Sequence, residues 1–433
     1  MNVTTRLKVL IIAHELSPKN GSECGEGWNI VTRLAKFHDI TVLYANGSQH
    51  GNNDSYKDSI NNYLLSVGPI SGLTFINIEQ PRKTKIIASV NRFFANKMGP
   101  TGIPMLYYLG YKFWQKAAFQ KAKELHKIKR FDVTHQLTQI TFREPGYLWK
   151  LNIPFFWGPT GGTSPLPKGF YKALSRKAKI LENIRSLSAI YDFKFSSRLI
   201  KANKEASIIY SYSDYDAVKF RKRAKGMVKI MLDAGASIPT EEYQINKIKS
   251  TAPLRGIWCG RFYSYKAPSI LLKALALSRC TMEKVQFQII GSGTLEKSLI
   301  KLSENLNLKN IEWIKQVSHD EVFRLMRNAD FFVHTSRREA TTNVIPEALS
   351  MGLPVICHDA SGMSIVVNDS CGIKIPFISP EQSIKGFHDA IERLILNRSL
   401  LAELKKGALN RAVEISWDRM AETIAKDYLE NRK

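Results

Sequence analysis

Glu339 and Glu347 stand on either side of a seven-residue segment, Ala340-Thr341-Thr342-Asn343-Val344-Ile345-Pro346, that reads as the opening of a helix. An apolar strand expected at Phe331–Thr335 leads into it, and Gly352-Leu353-Pro354 stops the helix. Proline is tolerated only in a first helical turn, so Pro346 places the helix start near Asn343–Ile345. The unbonded N–H groups of that turn, with the positive end of the helix dipole, form a phosphate site. A carboxylate on either side supplies acceptors for hydroxyl groups. The alternative is a Glu347 that only favours the helix start and a Glu339 that is only a solvated loop charge.

Two cations belong to the same chemistry. Gly260-Arg261-Phe262-Tyr263-Ser264-Tyr265-Lys266 follows an apolar strand at Arg255–Gly260. Ligands of open parallel sheets sit at the carboxyl ends of the strands, where Arg261 and Lys266 would grip a diphosphate, one as a planar fork and the other as a point charge. The competing reading is a pair of exposed surface cations. Gly291-Ser292-Gly293 ends the next strand, Val285–Ile290, and by itself is only a turn.

These groups require two successive α/β units to hold them. The first half opens with a continuous apolar run, Lys8–Ala13, as expected of a parallel strand covered on both faces. A glycine-bearing loop, a helix through Trp28 and Leu34, and a strand at Asp39–Tyr44 complete a βαβ unit. Further strands are expected at Phe131–Thr134, Pro154–Trp157 and Ser207–Ser211. The pattern restarts after a polar, lysine-rich stretch between Arg221 and Ser250, with strands at Ile311–Ile314 and Pro354–His358 following those named above. The expected division is 1–237 with 416–433 packing back on it, and 238–415. Two such units imply a cleft between them.

A strand ending in Gly-Arg with a nearby Lys, a strand ending in Gly-Ser-Gly, and then Glu-x7-Glu together resemble the retaining glycosyltransferases of family 4, over nearly the whole chain. The resemblance implies the GT-B fold: α/β, two Rossmann-like domains facing a central cleft, with the last helix, from Ser416-Trp417, crossing back to the first. It implies a hexosyltransferase in which Arg261 and Lys266 hold the donor diphosphate and Glu339 contacts the transferred sugar. Gly291, Gly293 and the amides of Ala340, Thr341, Thr342, Asn343 and Val344 would bind the donor; Glu347 would take the ribose, and Val317, beside Gln316, would touch the nucleobase. Gly21 and Ser22 resemble the family's glycine loop, although two glycines are usual and Ser22 carries a side chain. His135 stands where family members carry a histidine facing the sugar; its other reading is a structural histidine. Glu23, Arg143 and Glu144 are acceptor-side candidates. The resemblance further implies retention of anomeric configuration, with the leaving phosphate as base and domain closure excluding water.

The cations and the helix start would stabilise the departing diphosphate without a metal, and no DxD-like cluster stands in a suitable place. No metal and no cofactor are therefore expected beyond the nucleotide-sugar donor, UDP- or GDP-linked. The five cysteines show no CxxC spacing, which argues against a disulfide framework and a zinc site and favours a reducing, cytoplasmic compartment. No apolar run reaches the ~20 residues of a spanning helix.

A net charge of +25 in 433 residues attracts polyanions. Tyr111–Arg130 has seven Lys/Arg against one Glu, and Pro165–Glu205 ten against three acids, both with interleaved aromatics. Such segments suit an anionic membrane surface, hence a peripheral enzyme on the inner face of the plasma membrane, acting on a lipid-linked glycan or a lipopolysaccharide- or polysaccharide-type acceptor. Solvated helix faces with ordinary core stripes read equally well. A nucleic-acid-binding protein lacks any recognisable motif here, so no nucleic acid is expected. An epimerase or phosphorylase of the same fold is the nearer alternative. A dinucleotide dehydrogenase is excluded, because Gly21, Gly25 and Gly27 are wrongly spaced for GxGxxG.

Overall fold

The computed structural model describes residues 6–19, 21, 23–47, 55–98, 102–239 and 252–432. Ser22 lies outside them. The chain forms two compact units, one of Met1–Thr163, Leu187–Asp233 and Trp417–Lys433, the other of Ser164–Ser186 and Ala234–Ser416.

The first unit is built on a parallel sheet of β1 (Lys8–Ala13), β2 (Asp39–Ala45), β3 (Leu73–Ile78), β4 (Val133–Thr138), β5 (Phe155–Thr160), β6 (Ala206–Ser211) and β7 (Met227–Ile230), ordered β3-β2-β1-β4-β5-β6-β7. Its central strands are buried because helices cover both faces; every residue of β4 and β5 is buried, the polar Thr134, His135, Gln136 and Thr138 included. The helix Pro104–Lys129 turns Tyr111, Trp114, Ala118 and Ala122 into this core. That corrects the membrane reading of Tyr111–Arg130, whose apolar stripe is spent on the sheet. The last helix, Trp417–Glu430, packs on the first, Glu23–Leu34. Asp418 pairs with Arg33 and Lys36, Tyr210 donates to Asp427 at 2.8 Å, and Tyr428 is fully buried.

The second unit has a parallel sheet ordered β10-β9-β8-β11-β12-β13. Its strands are β8 (Leu254–Cys259), β9 (Val285–Ile290), β10 (Ile311–Ile314), β11 (Phe331–His334), β12 (Val355–Asp359) and β13 (Gly372–Pro376). Ser164–Ser186, expected in the first unit, belongs here because Phe170 is an anchor in the second core. Its ring is fully buried and lies 4.5 Å from that of Phe377. Gly169 seats the segment: a Cβ there would stand 2.5 Å from the Ile378 carbonyl.

Candidate functional site

In the second unit the loops after β8 and β11 are laced together. Trp258 in β8 donates Nε1–H to the Thr335 hydroxyl at 3.0 Å, and that hydroxyl donates to the Lys266 carbonyl at 2.8 Å. The Arg337 amide donates to the Tyr265 carbonyl at 2.8 Å, and its guanidinium to the Ser264 carbonyl at 2.5 Å. These bonds bring Lys266 onto Glu339. The ammonium pairs with Glu339 Oε1, which also accepts from the Ser336 hydroxyl at 2.8 Å. Ser336 is itself held from below: its carbonyl accepts from His358 Nδ1 at 2.9 Å, and His358 Nε2 accepts from the Ser383 hydroxyl at 3.0 Å. His358 is kept neutral, its pKa lowered to about 4 by burial, against the pull of its bond to Ser336.

The neighbouring Arg338 reaches Glu182 at 2.7 Å, and Arg185 binds the same carboxylate. Thus Ser164–Ser186 clamps the strand-to-helix loop beside Glu339. Thr342 then takes φ +70°, an uncommon conformation for a β-branched residue. The helix begins at Val344, as the position of Pro346 requires. The amides of Thr342, Asn343 and Val344 find no acceptor among the described residues. Ala340 is pinned behind them, its carbonyl accepting from the Gly362 amide at 3.0 Å. A Cβ on Gly362 would stand 2.5 Å from that oxygen, so glycine permits the approach.

Arg261 is exposed, with its guanidinium 5.8 Å from the centre of the Tyr263 ring. It has no carboxylate partner among the described residues, which leaves a cation available beside the loop. Burial and the Glu347 carboxylate push the Cys259 thiol up to about 12, with Lys266 opposing, so both side chains lie around the end of β8. Glu347 Oε1 lies 3.0 Å from His319 Nε2, and this bond raises the His319 pKa. Gly291 and Gly293 have φ of +145° and +155°. A Cβ on Gly291 would stand 2.0 Å from the Gly260 carbonyl, so this turn packs directly beneath the Arg261 turn. Val317 is half-buried just before the helix His319–Asn328.

The first-unit candidates part company. β4 runs to Thr138, so His135 lies within the strand rather than beyond it. It is fully buried, with Nε2–H donating to the Gly158 carbonyl at 2.7 Å and Nδ1 accepting from Tyr428 at 2.5 Å. Burial lowers its pKa to about 4, against the Gly158 bond, and both nitrogens are used. These bonds and the burial favour the structural reading of His135 over the catalytic one. Glu144 is buried and bound by both Arg198 nitrogens at 2.8 Å, and Arg143 pairs with Asp192 at 2.7 Å. Both are engaged in holding helices, which favours a structural role over the acceptor-side one. Glu23 opens the first helix, near Gly21 and at the carboxyl end of β1. Burial, then the Glu15 and Asp233 carboxylates, push it up to about 8.

Sequence reasoning missed Ser336, His358, His319 and Glu182. A serine at a strand end and a histidine before a helix carry no distinguishing pattern, and Glu182 is separated from Arg338 by most of a domain of chain.

Residues 242–411 match the family model described as glycosyl transferases group 1. A D-inositol 3-phosphate glycosyltransferase of Streptomyces bingchenggensis is 30% identical over 185 residues, which is 40% of this chain and 40% of that protein. The chain thus spans about 40% of the length of the curated relatives it matches. Among solved structures, the sucrose-phosphate synthase of Thermosynechococcus elongatus superposes with a TM-score of 0.62 at 15% identity, covering 98% of this chain and 99% of that one. Anabaena HepE in complex with UDP-glucose does so with a TM-score of 0.56 at 15% identity, covering 98% and 100%. These likenesses show the fold, GT-B, with two Rossmann-like domains.

Proposed function

We propose that this chain, which carries a group 1 glycosyl transferase domain at residues 242–411, is a retaining hexosyltransferase that takes its sugar from a nucleotide diphosphate. The observation that carries this reading is the cluster of Lys266 on Glu339 beside Arg261 and the amides of Thr342, Asn343 and Val344, none of which has a carboxylate or carbonyl partner of its own among the described residues. Arg261, Lys266 and those amides would hold the diphosphate, and Glu339 would orient the sugar hydroxyls. Glu347 would accept from the ribose hydroxyls, while Gly291, Gly293 and Val317 would line the nucleotide.

In the transfer, an acceptor hydroxyl attacks the anomeric carbon as its bond to the phosphate oxygen breaks. The hydroxyl proton passes to the leaving diphosphate on the same face. The developing negative charge falls on fixed cations and amide dipoles, which need no reorganisation at that moment. The reading therefore includes independence from metal.

For the acceptor, the reading is a lipid-linked glycan or a lipopolysaccharide- or polysaccharide-type chain met at an anionic membrane surface. Its support is the helix Arg176–Phe195, where Ile180, Ile184, Leu187, Tyr191 and Phe195 recur at helical spacing and are all exposed. Arg176, Lys177, Lys179 and Lys194 accompany this stripe, and the helix's two acids are occupied by Arg185, Arg338 and Arg143. Among the described residues no helix is long and apolar enough to cross a membrane.

A thermal-shift panel of UDP-, GDP- and ADP-sugars, with and without EDTA, tests the donor side. One nucleotide should stabilise the protein regardless of EDTA, and Lys266→Ala and Glu347→Ala should each diminish the shift. Stabilisation by none of them overturns the reading, and release of a free epimerised sugar without acceptor would make it an epimerase.

A further inference from the structure

A cavity of about 450 Å³ opens in the first unit between the edge strand β3 and the helix Tyr56–Val67. The register of β2 with β3 sets Tyr44 beside Asn77 and Val42 beside Phe75, so Tyr44, Phe75 and Asn77 leave one face of the sheet. Phe75 is fixed there, its ring stacked on Trp28 at 5.6 Å with the planes 11° apart. Tyr63 in turn meets Trp28 edge-on at 4.9 Å. Of the eleven described residues that line the cavity, six are apolar, Phe75 among them, and Lys57 alone is charged. The others are Tyr44, Asn61, Thr74 and Asn77.

None of these five polar side chains makes a hydrogen bond or an ion pair among the described residues. At Asn77 the Nδ2 is moreover buried. A buried polar group without a bond works against folding, so packing alone gives no reason for an asparagine there. Burial, with the Asp58 carboxylate adding to it, pushes the Tyr44 phenol up to about 12, so its hydroxyl stays protonated and both donates and accepts. The two amides and the Thr74 hydroxyl have the same double capacity. A matching ligand must donate and accept from neighbouring atoms, carry little charge and offer an apolar face to Phe75. A pyranose ring does all three, through its hydroxyls and its C–H face. One cation in the lining, within a chain of 63 lysines and arginines, argues against a phosphate. The volume falls within the range of about 300–1,000 Å³ usual for small-ligand sites.

We propose that this cavity is an accessory subsite for a neutral saccharide unit of the acceptor glycan, with Tyr44, Asn61 and Asn77 bonding its hydroxyls and Phe75 against its C–H face. That the saccharide belongs to the acceptor rests on the glycosyl-transfer reading; the binding of a saccharide does not. The cluster around Lys266 and Glu339 lies in the other unit, so the two sites share no residue.

The test is saturation-transfer NMR on the full-length protein with maltose, cellobiose, lactose and mannobiose, followed by calorimetry on each sugar that binds. At least one should bind, and saturating UDP should leave its affinity unchanged. Asn61→Ala, at an exposed helix position, should weaken that binding about 5-fold, the worth of one neutral hydrogen bond. Tyr44→Phe should do the same, and both variants should keep the wild-type Tm and UDP affinity, since neither side chain bonds to the described residues around it. Binding of none of the four sugars, binding that UDP displaces, or binding untouched by both substitutions would each overturn the proposal. Disaccharide binding without any nucleotide-sugar binding would sink the transfer reading and leave this subsite standing. Nucleotide-sugar binding without disaccharide binding would do the reverse.

Discussion

The Lys266 ammonium rests on the Glu339 carboxylate, and the Ser336 hydroxyl donates to the same oxygen. The two side chains are 12% and 15% exposed, so the pair is shielded yet open on one side. Two loops from different strands are thereby locked together, at the place where the proposed function puts a cation and an acceptor beside a sugar diphosphate. Removing either partner leaves a half-buried charge without its counter-ion, which is more damaging than never having built the pair.

Lys266→Met should lower kcat/KM for the nucleotide sugar by about 10²–10³, the usual worth of one preorganised group facing developing negative charge. Glu339→Gln should lower kcat while UDP affinity holds, because its contact is to the sugar. Steady-state kinetics beside UDP titrations separate the two. Equal losses of UDP affinity in both variants would contradict the assigned roles.

Glu347→Ala should weaken UDP binding by about 10-fold, the net worth of a charged hydrogen bond to a ribose hydroxyl. His319→Ala should do less, since that ring is mostly exposed and only orients the carboxylate. Calorimetry with UDP alone reads both.

Glu182 offers a stability and pH test. Burial would raise its carboxyl, but hydrogen bonds from Arg185 and Arg338 outweigh this and hold it below the usual carboxylate range. A depressed folded pKa contributes stability that is present above the unfolded value and lost as pH falls through the folded one. Glu182→Gln should therefore cost about 1–3 kcal/mol at neutral pH and little in acid, measured by denaturant unfolding at both. It should also raise KM, by loosening the loop before Glu339.

Glu23 behaves oppositely. Its folded pKa is raised from 4.5 to about 8, so the folded state holds this proton more tightly than the unfolded chain. That contribution is complete below about 4.5 and disappears as pH rises through about 8. Thermal melts from acid to alkaline pH should show a decline across this window that is flatter in Glu23→Gln. Parallel curves would contradict the placement of Glu23 among carboxylates.

His135→Asn should cost about 2–4 kcal/mol by breaking the bonds to Gly158 and Tyr428 and leaving space in a packed core. Its kcat, measured well below the melting temperature, should stay near wild type. A loss of several orders of magnitude in a folded variant would restore a catalytic histidine.

Central strands were legible in the sequence because covering both faces of a parallel sheet demands unbroken apolar runs. Lys8–Ala13 and Val285–Ile290 stand as expected, and so does the edge strand Ile311–Ile314, whose three large apolar residues marked it. The strands that reading missed, β3, β7 and β13, are all sheet edges, where half the burial and fewer ladder partners leave a mixed pattern such as Gly-Ile-Lys-Ile-Pro. The helix start at Val344 followed from Pro346, a constraint that acts within one turn. Tertiary structure alone could decide the rest. The strand ends four residues beyond the expected Thr134, which puts His135 inside the sheet rather than at its rim. The same amphipathic signature was used for packing in Pro104–Lys129 and left exposed in Arg176–Phe195, because neighbours, not periodicity, determine what a stripe faces. The Glu182–Arg338 clamp joins residues far apart in the chain, and local sequence carries no record of a contact that only folding creates.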